Sequence, residues 1–277
     1  MSVKEAISWA TKELSSLVER PRLEAEILLS YLLKTKREFL ILNDSLKIDK
    51  TKFEELIKRR KNSEPIEYIT NRVSFWDFEL YIAKGALIPR PESEILVEKA
   101  INLIKEHNIN KVAEIGIGSG ALSIAIAKET NSFIESSDIS KEAIEIAKIN
   151  IKNFNLDDKI KVKECSLLDC INTPTLLISN PPYINPSDKL EKNVLDYEPH
   201  SALFAPKDGL KILFDILDLV KQKDIPFTIC EMGYNQKEPI KEYIKSINLK
   251  GNLEFYKDLA GLNRGFIFIK DTTQIKK

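Results

Sequence analysis

The stretch KVAEIGIGSGALSIAIAKE, residues 111–129, decides the fold of this chain. Its first five residues are typical of a short strand, and the nine residues after the glycines are typical of a buried helix. Glycines at 116, 118 and 120 permit a tight turn and let a ligand approach the main chain closely. A strand, a glycine turn and a helix in this order predict one repeat of a parallel α/β sheet.

The same alternation of strand and helix patterns continues along the chain. It passes through SFIESSDIS (132–140), KEAIEIAKINIKNF (141–154), KIKVKECS (159–166) and TLLISNPPY (175–183). Repeated strand–helix units predict a mostly parallel, doubly wound sheet of the Rossmann-like kind. The late stretch LEFYKDLAGLNRGFIFIK (253–270) reads as two strands around a glycine loop, so we expect an antiparallel final hairpin.

The N-terminal part has a helical period instead. Ser2 and Glu5 have the spacing of a capping box, Pro21 suits the first position of a second helix, and residues 49–61 form a third amphipathic stretch. Near residue 72 the pattern alternates like a β-hairpin. We therefore predict a helical bundle over residues 1–73, a hairpin linker over 74–88 and an α/β domain over 89–277.

Composition excludes several classes of protein. The 42 basic and 42 acidic side chains balance, which disfavours a partner held mainly by phosphate contacts. The charged N-terminus is unlike a signal peptide, and no apolar run is long enough to span a bilayer. Cys165, Cys170 and Cys230 form no close-spaced motif, and with two histidines they predict no metal site. We expect a reducing cytoplasm as the location.

An acidic residue follows the glycine turn at the place where nucleotide-binding folds use one. Asp138 lies 18 residues after Gly120, at the end of the next predicted strand, where a carboxylate can accept from two ribose hydroxyls. A plain tight turn without ligand is the alternative. The GxGxG spacing differs from the GxGxxG of nicotinamide sites and favours S-adenosylmethionine. Glu114 would then lie near the amino-acid half of that ligand, or else form a salt bridge at the strand end.

A second motif, Asn180-Pro181-Pro182-Tyr183, follows a predicted strand whose end faces the same crevice. Asn180 Oδ1 and the Pro181 carbonyl can each accept one N–H of a planar nitrogen group, and the prolines keep the backbone stiff. Tyr183 can stack on such a group. These residues predict methyl transfer to an amide or exocyclic amine, although a simple proline turn is the alternative.

With this motif after a GxGxG turn, the sequence resembles the HemK/PrmC family of release factor glutamine methyltransferases. The stretches EPIEYI (64–69), LIPRPESE (87–94), EPHSALFAPKDGL (198–210) and DLAGLNRG (258–265) are similar to that family as well. The resemblance implies that the helical bundle docks the substrate. It also implies that the methyl acceptor is the Gln side chain of the Gly-Gly-Gln loop in release factors.

The resemblance further implies roles for individual residues. Asn180, Pro181 and Tyr183 would be catalytic, and Pro182 and Arg90 would also bind substrate. The alternative interpretation of Arg90 and Glu92 is that they form salt bridges within their loop. The alternative for Leu167 is that it is a core residue. The residues expected to bind S-adenosylmethionine are Glu114, Gly116, Ile117, Gly118, Ser119, Gly120, Asp138, Ile139, Ser166, Leu167 and Asn180.

Other functions share some of these motifs. A DNA adenine methyltransferase also uses Asn-Pro-Pro-Tyr, but it needs a basic face and a target-recognition domain. Ribosomal-protein glutamine methyltransferases differ in sequence after IPR. A non-catalytic binding module and a nicotinamide oxidoreductase are the remaining alternatives. We expect a release factor as partner, no membrane, no direct contact with nucleic acid, and a monomer.

Overall fold

The computed structural model describes residues 1–271. The chain forms two compact units. The first comprises Met1–Arg72 together with Leu190–Tyr197, and the second comprises Val73–Lys189 and the described residues from Glu198 onward. The sequence placed residues 190–197 in the α/β domain, whereas here they belong to the compact helical unit.

Capping residues in the local sequence set where helices of the helical unit begin. Ser2 Oγ accepts from the Glu5 backbone while Glu5 accepts from the Ser2 backbone, so the predicted capping box is confirmed. Pro21 stands at the first position of the second helix, as predicted. Asp49 caps the fourth helix. The helices are α1 (Val3–Leu14), α2 (Pro21–Leu33), α3 (Arg37–Leu42), α4 (Lys50–Lys61), α5 (Ile66–Thr70) and, later in the chain, α9 (Lys192–Tyr197).

The apolar stripes of these helices meet in a core of their own. Leu14, Leu28, Leu29, Phe53 and Ile57 are almost completely buried there. Burying each such side chain contributes roughly 1.5–3 kcal/mol relative to leaving it in water. The buried residues of α1 and α4 recur at helical spacing, as the sequence pattern predicts.

A two-stranded hairpin opens the second unit, with β1 (Arg72–Phe75) and β2 (Phe78–Tyr81). The side chain of Asn150 fastens it. Asn150 Oδ1 accepts from Tyr81 N at 2.8 Å, and Nδ2 donates to the carbonyls of Tyr81 at 2.8 Å and Ser119 at 2.9 Å. One buried amide thus ties the hairpin to the glycine loop.

The second unit is built on a seven-stranded sheet with the order β5-β4-β3-β6-β7-β9-β8. Six strands run in the same direction, and β9 runs antiparallel to both of its neighbours. The predicted Rossmann-like fold class and final hairpin are confirmed. The strands are β3 (Lys111–Ile115), β4 (Phe133–Asp138), β5 (Ile160–Glu164), β6 (Leu176–Ser179), β7 (Phe227–Glu231), β8 (Gly251–Lys257) and β9 (Asn263–Lys270).

Helices cover this sheet and bury its apolar side chains. Leu213, Ile216 and Ile240 pack with Phe266 and Phe268 of β9 in one fully buried cluster. The helices of this unit are α6 (Ser93–His107), α7 (Ala121–Glu129), α8 (Lys141–Asn153), α10 (His200–Leu203), α11 (Lys211–Gln222) and α12 (Lys237–Ser246). Within residues 1–271 no helix is both long and apolar enough to cross a membrane.

The cysteines depart from expectation. Cys165 and Cys170 are joined by a disulfide, with their Cα atoms 6.1 Å apart. The sequence analysis found no close-spaced cysteine motif and did not predict this disulfide. A turn brings them together, because Asp169 N donates to Ser166 O at 3.0 Å and Leu167 adopts a positive φ of 48°. Spacing alone does not indicate such a turn.

Candidate active site

A cavity opens at the carboxyl ends of β3, β4 and β6. Strand β3 lies between the other two, so the chain order changes direction at β3, which is where open α/β sheets bind ligands. Loops after all three strands line the cavity. The predicted site residues that line it are Gly116, Ile117, Gly118, Ser119, Asp138, Ile139, Ser166, Leu167, Asn180 and Pro182.

The glycine loop has a backbone that other residues adopt only with strain. Gly116, Gly118 and Gly120 have φ of +78°, +54° and +86°. A Cβ built on Gly116 or Gly118 would meet no described atom within 4 Å, so these two glycines leave open space. A Cβ on Gly120 would instead come to 3.3 Å from Ile124 Cδ1, so this glycine permits the start of α7 to pack.

Asp138 holds the glycine loop in place. Its Oδ2 accepts from Gly118 N at 3.0 Å and its Oδ1 accepts from Ser140 N at 2.9 Å. An ionised carboxylate has about four acceptor positions, so about two are left for a ligand. Ile139 beside it is 66% exposed, which leaves an apolar surface at the cavity.

The residues after β5 form a third wall. Leu167 lines the cavity and also packs against the core cluster, so it combines the two roles considered for it. Its carbonyl accepts from Ser137 Oγ at 2.5 Å, which ties this wall to β4. Ser166 and Cys165 complete the wall.

Asn180 lies at one end of a hydrogen-bond network that is centred on the buried Glu231. Asn180 Nδ2 donates to Ser93 Oγ at 3.0 Å, and Ser93 Oγ donates to Glu231 Oε2 at 2.6 Å. Tyr183 donates its hydroxyl to Glu231 Oε1 at 2.8 Å and packs against the core. The Tyr183 side chain is therefore held from behind, and it is not one of the described residues that line the cavity.

Glu114 lies beneath the glycine loop and is completely buried. Ser123 Oγ donates to its Oε2, while Oε1 has no hydrogen-bond partner among the described residues. Burial raises the pKa of Glu114 to about 8, and the nearby Asp138 charge acts in the same direction. The structure shows neither a cavity-lining position nor, among the described residues, the salt bridge considered for it.

Arg90 is engaged in a loop contact. Its guanidinium donates to Glu198 Oε1 at 2.5 Å, and Glu198 Oε2 accepts from Ile88 N at 3.1 Å. The salt-bridged alternative therefore describes the position of Arg90. The neighbouring Leu87 and Pro89 line the cavity, so the ion pair shapes its rim indirectly.

Four predicted residues besides Arg90 lie off the cavity wall in the described structure: Glu114, Gly120, Pro181 and Tyr183. Two residues of the network, Ser93 and Glu231, are absent from the sequence-based assignment. The sequence does contain a signal for Glu231: it follows the apolar strand FTIC (227–230), as Asp138 ends its own predicted strand.

Two known domain families match this chain. The PrmC N-terminal domain family matches residues 5–70, and the methyltransferase small domain family matches residues 92–197. A release factor glutamine methyltransferase of Clostridium acetobutylicum is 33% identical over 98% of this chain and 99% of its own length. This chain belongs to the release factor glutamine methyltransferase family. The predicted family and enzyme class, a methyltransferase that uses S-adenosylmethionine, are thereby confirmed.

A second relative is similar to this chain over nearly the same length. The release factor glutamine methyltransferase of Coxiella burnetii is 34% identical over 95% of this chain and 97% of its own length. Among solved structures, the catalytic domain of human METTL16 with a MAT2A 3′UTR hairpin superimposes with a TM-score of 0.56. That structure is 19% identical and the match covers 69% of this chain and 74% of the other, so it shows the fold alone.

Proposed function

We propose that this family member transfers the methyl group of S-adenosylmethionine to the side-chain amide nitrogen of the Gly-Gly-Gln glutamine in a release factor. The observation that carries the proposal is Asn180. Its amide lines the same cavity as the glycine loop and Asp138, and a buried network holds it there. A planar amide nitrogen is a weak nucleophile, so an oriented acceptor for its N–H favours the reaction.

The residues present fit the methyl donor. The open space at Gly116 and Gly118 and the free acceptor capacity of Asp138 suit a ligand with a ribose. Ile139 and Leu167 offer apolar surface for a base. When bound, S-adenosylmethionine supplies a methyl group activated by its sulfonium.

The chain's own residues perform the remaining tasks in this proposal. Asn180 Oδ1 accepts one N–H of the glutamine amide. The Pro181 carbonyl, predicted to accept the other N–H, lies off the cavity wall in the described structure, and Pro182 restricts the loop backbone. Tyr183 keeps the loop in place through Glu231. The arrangement needs no strong base, because the acceptor nitrogen becomes acidic once it is alkylated.

The wider setting is also part of the proposal. The helical unit docks the release factor, the enzyme acts as a monomer in the cytoplasm, and no nucleic acid contact is needed. Family membership over nearly the whole chain supports the choice of substrate. The domain boundaries and the docking role remain predictions.

A methyl-transfer assay tests the proposal. The protein is mixed with labelled S-adenosylmethionine and, separately, with a release factor, with its Gln→Ala loop variant and with duplex DNA. We expect label on the release factor alone. Asn180→Ala should abolish transfer, whereas Asn252→Ala, at an exposed position on β8, serves as the matched control. Label on DNA, or on the Gln→Ala variant, would contradict the proposed acceptor.

A further inference from the structure

The side chain of Ser93 connects Asn180 to Glu231 at the end of β7. Asn180 Nδ2 donates to Ser93 Oγ, Ser93 Oγ donates to Glu231 Oε2, and Tyr183 donates to Glu231 Oε1. Ser93 is 2% exposed and Glu231 is 1% exposed, so water has little access to the hydrogen bond between these two side chains. We call the connection from Glu231 through Ser93 to Asn180 the Ser93 relay.

The direction of each hydrogen bond follows from the chemistry of the groups. An ionised carboxylate only accepts hydrogen bonds, so both hydroxyl protons, of Ser93 and of Tyr183, must point at Glu231. Ser93 has a single proton, and its oxygen can then only accept from Asn180. The Asn180 amide must therefore turn Nδ2 toward Ser93 and Oδ1 away from it.

We propose that Glu231 is a positioning residue that, through Ser93, fixes the orientation of the Asn180 amide and so presents Oδ1 to the N–H of the methyl acceptor. This inference rests on the proposed function for its consequence in catalysis. If the amide were inverted, Nδ2 would face the N–H of the acceptor, and two donors would oppose each other. The orientation of one amide thus separates a productive site from an unproductive one.

The charge state of Glu231 controls the relay. When Glu231 is protonated on Oε2, it donates to Ser93 Oγ, which frees the Ser93 proton to turn toward Asn180 and favours the inverted amide. Burial raises the pKa of Glu231, and the negative charge of Glu92 raises it further. The hydrogen bonds from Ser93 and Tyr183 and the positive charge of Arg264 lower it. The groups facing Glu231 are Glu92 and Ser93 on the α6 side, Tyr183, Tyr256 on β8 and Arg264 on β9.

The sign of the pH dependence follows. The folded-state pKa of Glu231 is raised, and the working form is the ionised one. Activity should therefore be present above that pKa and be lost as the pH falls through it. An enzyme whose Asn180 is uncoupled from Glu231 should lack this acidic limb.

A spectroscopic experiment tests the relay without any acceptor protein. The full chain is labelled with ¹⁵N-asparagine, and the Asn180 side-chain signals are identified by their absence in Asn180→Ala. We expect them to titrate with pH in the wild type, to stop titrating in Ser93→Ala, and to titrate again in Ser93→Thr, which restores the hydroxyl. Signals that do not titrate in the wild type, or that still titrate in Ser93→Ala, would overturn the inference.

Kinetics supply the second arm. Glu231→Gln and Ser93→Ala should each lower kcat on the release factor by roughly 10- to 100-fold, the size expected for a misplaced reacting group. The Glu231→Gln variant should keep its Kd for S-adenosylmethionine. The double variant should be no slower than the slower single variant, since both interrupt one chain of bonds. Fully additive losses would overturn the relay, whereas a wild type that labels no release factor would refute the proposed function and leave the spectroscopic result standing.

Discussion

The backbone N–H of Gly118 donates to Oδ2 of Asp138 at 3.0 Å, which couples the glycine loop after β3 to the end of β4. The acid thus acts before any ligand arrives, because it orders the loop that the ligand must contact. Its second oxygen accepts from Ser140 N at the start of α8, so the carboxylate joins two loops. A ligand bound here would find both loops already positioned.

Removing this carboxylate should weaken cofactor binding. In Asp138→Ala the loop loses its anchor and a ribose loses its acceptor, and each charge-assisted hydrogen bond contributes about 1.5–3 kcal/mol. We expect the Kd for S-adenosylmethionine to rise about 100-fold in titration calorimetry. Asp158→Asn, at an exposed position, should bind like the wild type. Equal affinity of Asp138→Ala and wild type would refute this role.

Much of this site was readable in the sequence. Gly116, Gly118 and Asp138 belong to one continuous strand–turn–helix–strand segment, so their spacing in the sequence carries the information. Asn180 follows the same logic, since parallel strands bring their carboxyl ends to one edge. The Rossmann-like fold could be predicted for the same reason, because periodicity and glycine turns are local properties.

The long-range partners could not be predicted in this way. Ser93 and Glu231 are 138 residues apart in sequence, and Arg90 and Glu198 are 108 apart. Only the assembled sheet brings α6 beside the end of β7, and no local pattern encodes that contact. The burial of Glu114 likewise follows from the position of β3 inside the sheet.

The amide that fastens the hairpin should matter for stability. Asn150→Ala leaves buried backbone groups of Tyr81 and Ser119 without partners, at a cost of roughly 3 kcal/mol. Urea unfolding can be followed by Trp76 fluorescence in a Trp9→Phe background, since the chain has two tryptophans. The exposed Asn153→Ala should change the midpoint little. If both variants unfold at the same urea concentration, Asn150 is not a fastening residue.

The Cys165–Cys170 disulfide predicts the number of free thiols in the protein. Protein unfolded without reductant should show one thiol, from Cys230, and three after reduction. Closing so short a loop should add about 2 kcal/mol to the free energy of unfolding. The double variant Cys165→Ser/Cys170→Ser should therefore have the stability of the reduced wild type. Three thiols in the unreduced protein would contradict the bond.

Glu114 should make stability depend on pH. Its pKa is about 8 in the folded chain, because it is completely buried, whereas an ordinary glutamate has 4.5. Below pH 4.5 both states hold the proton and its contribution is intact. Between about pH 5 and 8 the unfolded state releases the proton that the folded state keeps. The free energy of unfolding should then fall by roughly 1.4 kcal/mol for each pH unit through this one group.

Glu114→Gln isolates that dependence. The amide still accepts from Ser123 but does not ionise. The free energy of unfolding of the variant should therefore lack the one-proton pH dependence of Glu114 over this range. Glu129→Gln removes an exposed carboxylate at the end of α7 and should keep the wild-type slope. Urea unfolding at pH 5, 6, 7 and 8 measures all three proteins. If the free energy of unfolding has the same pH dependence in wild type and Glu114→Gln, Glu114 has an ordinary pKa in the folded chain. Its unpartnered Oε1 would then be in contact with water or a cation.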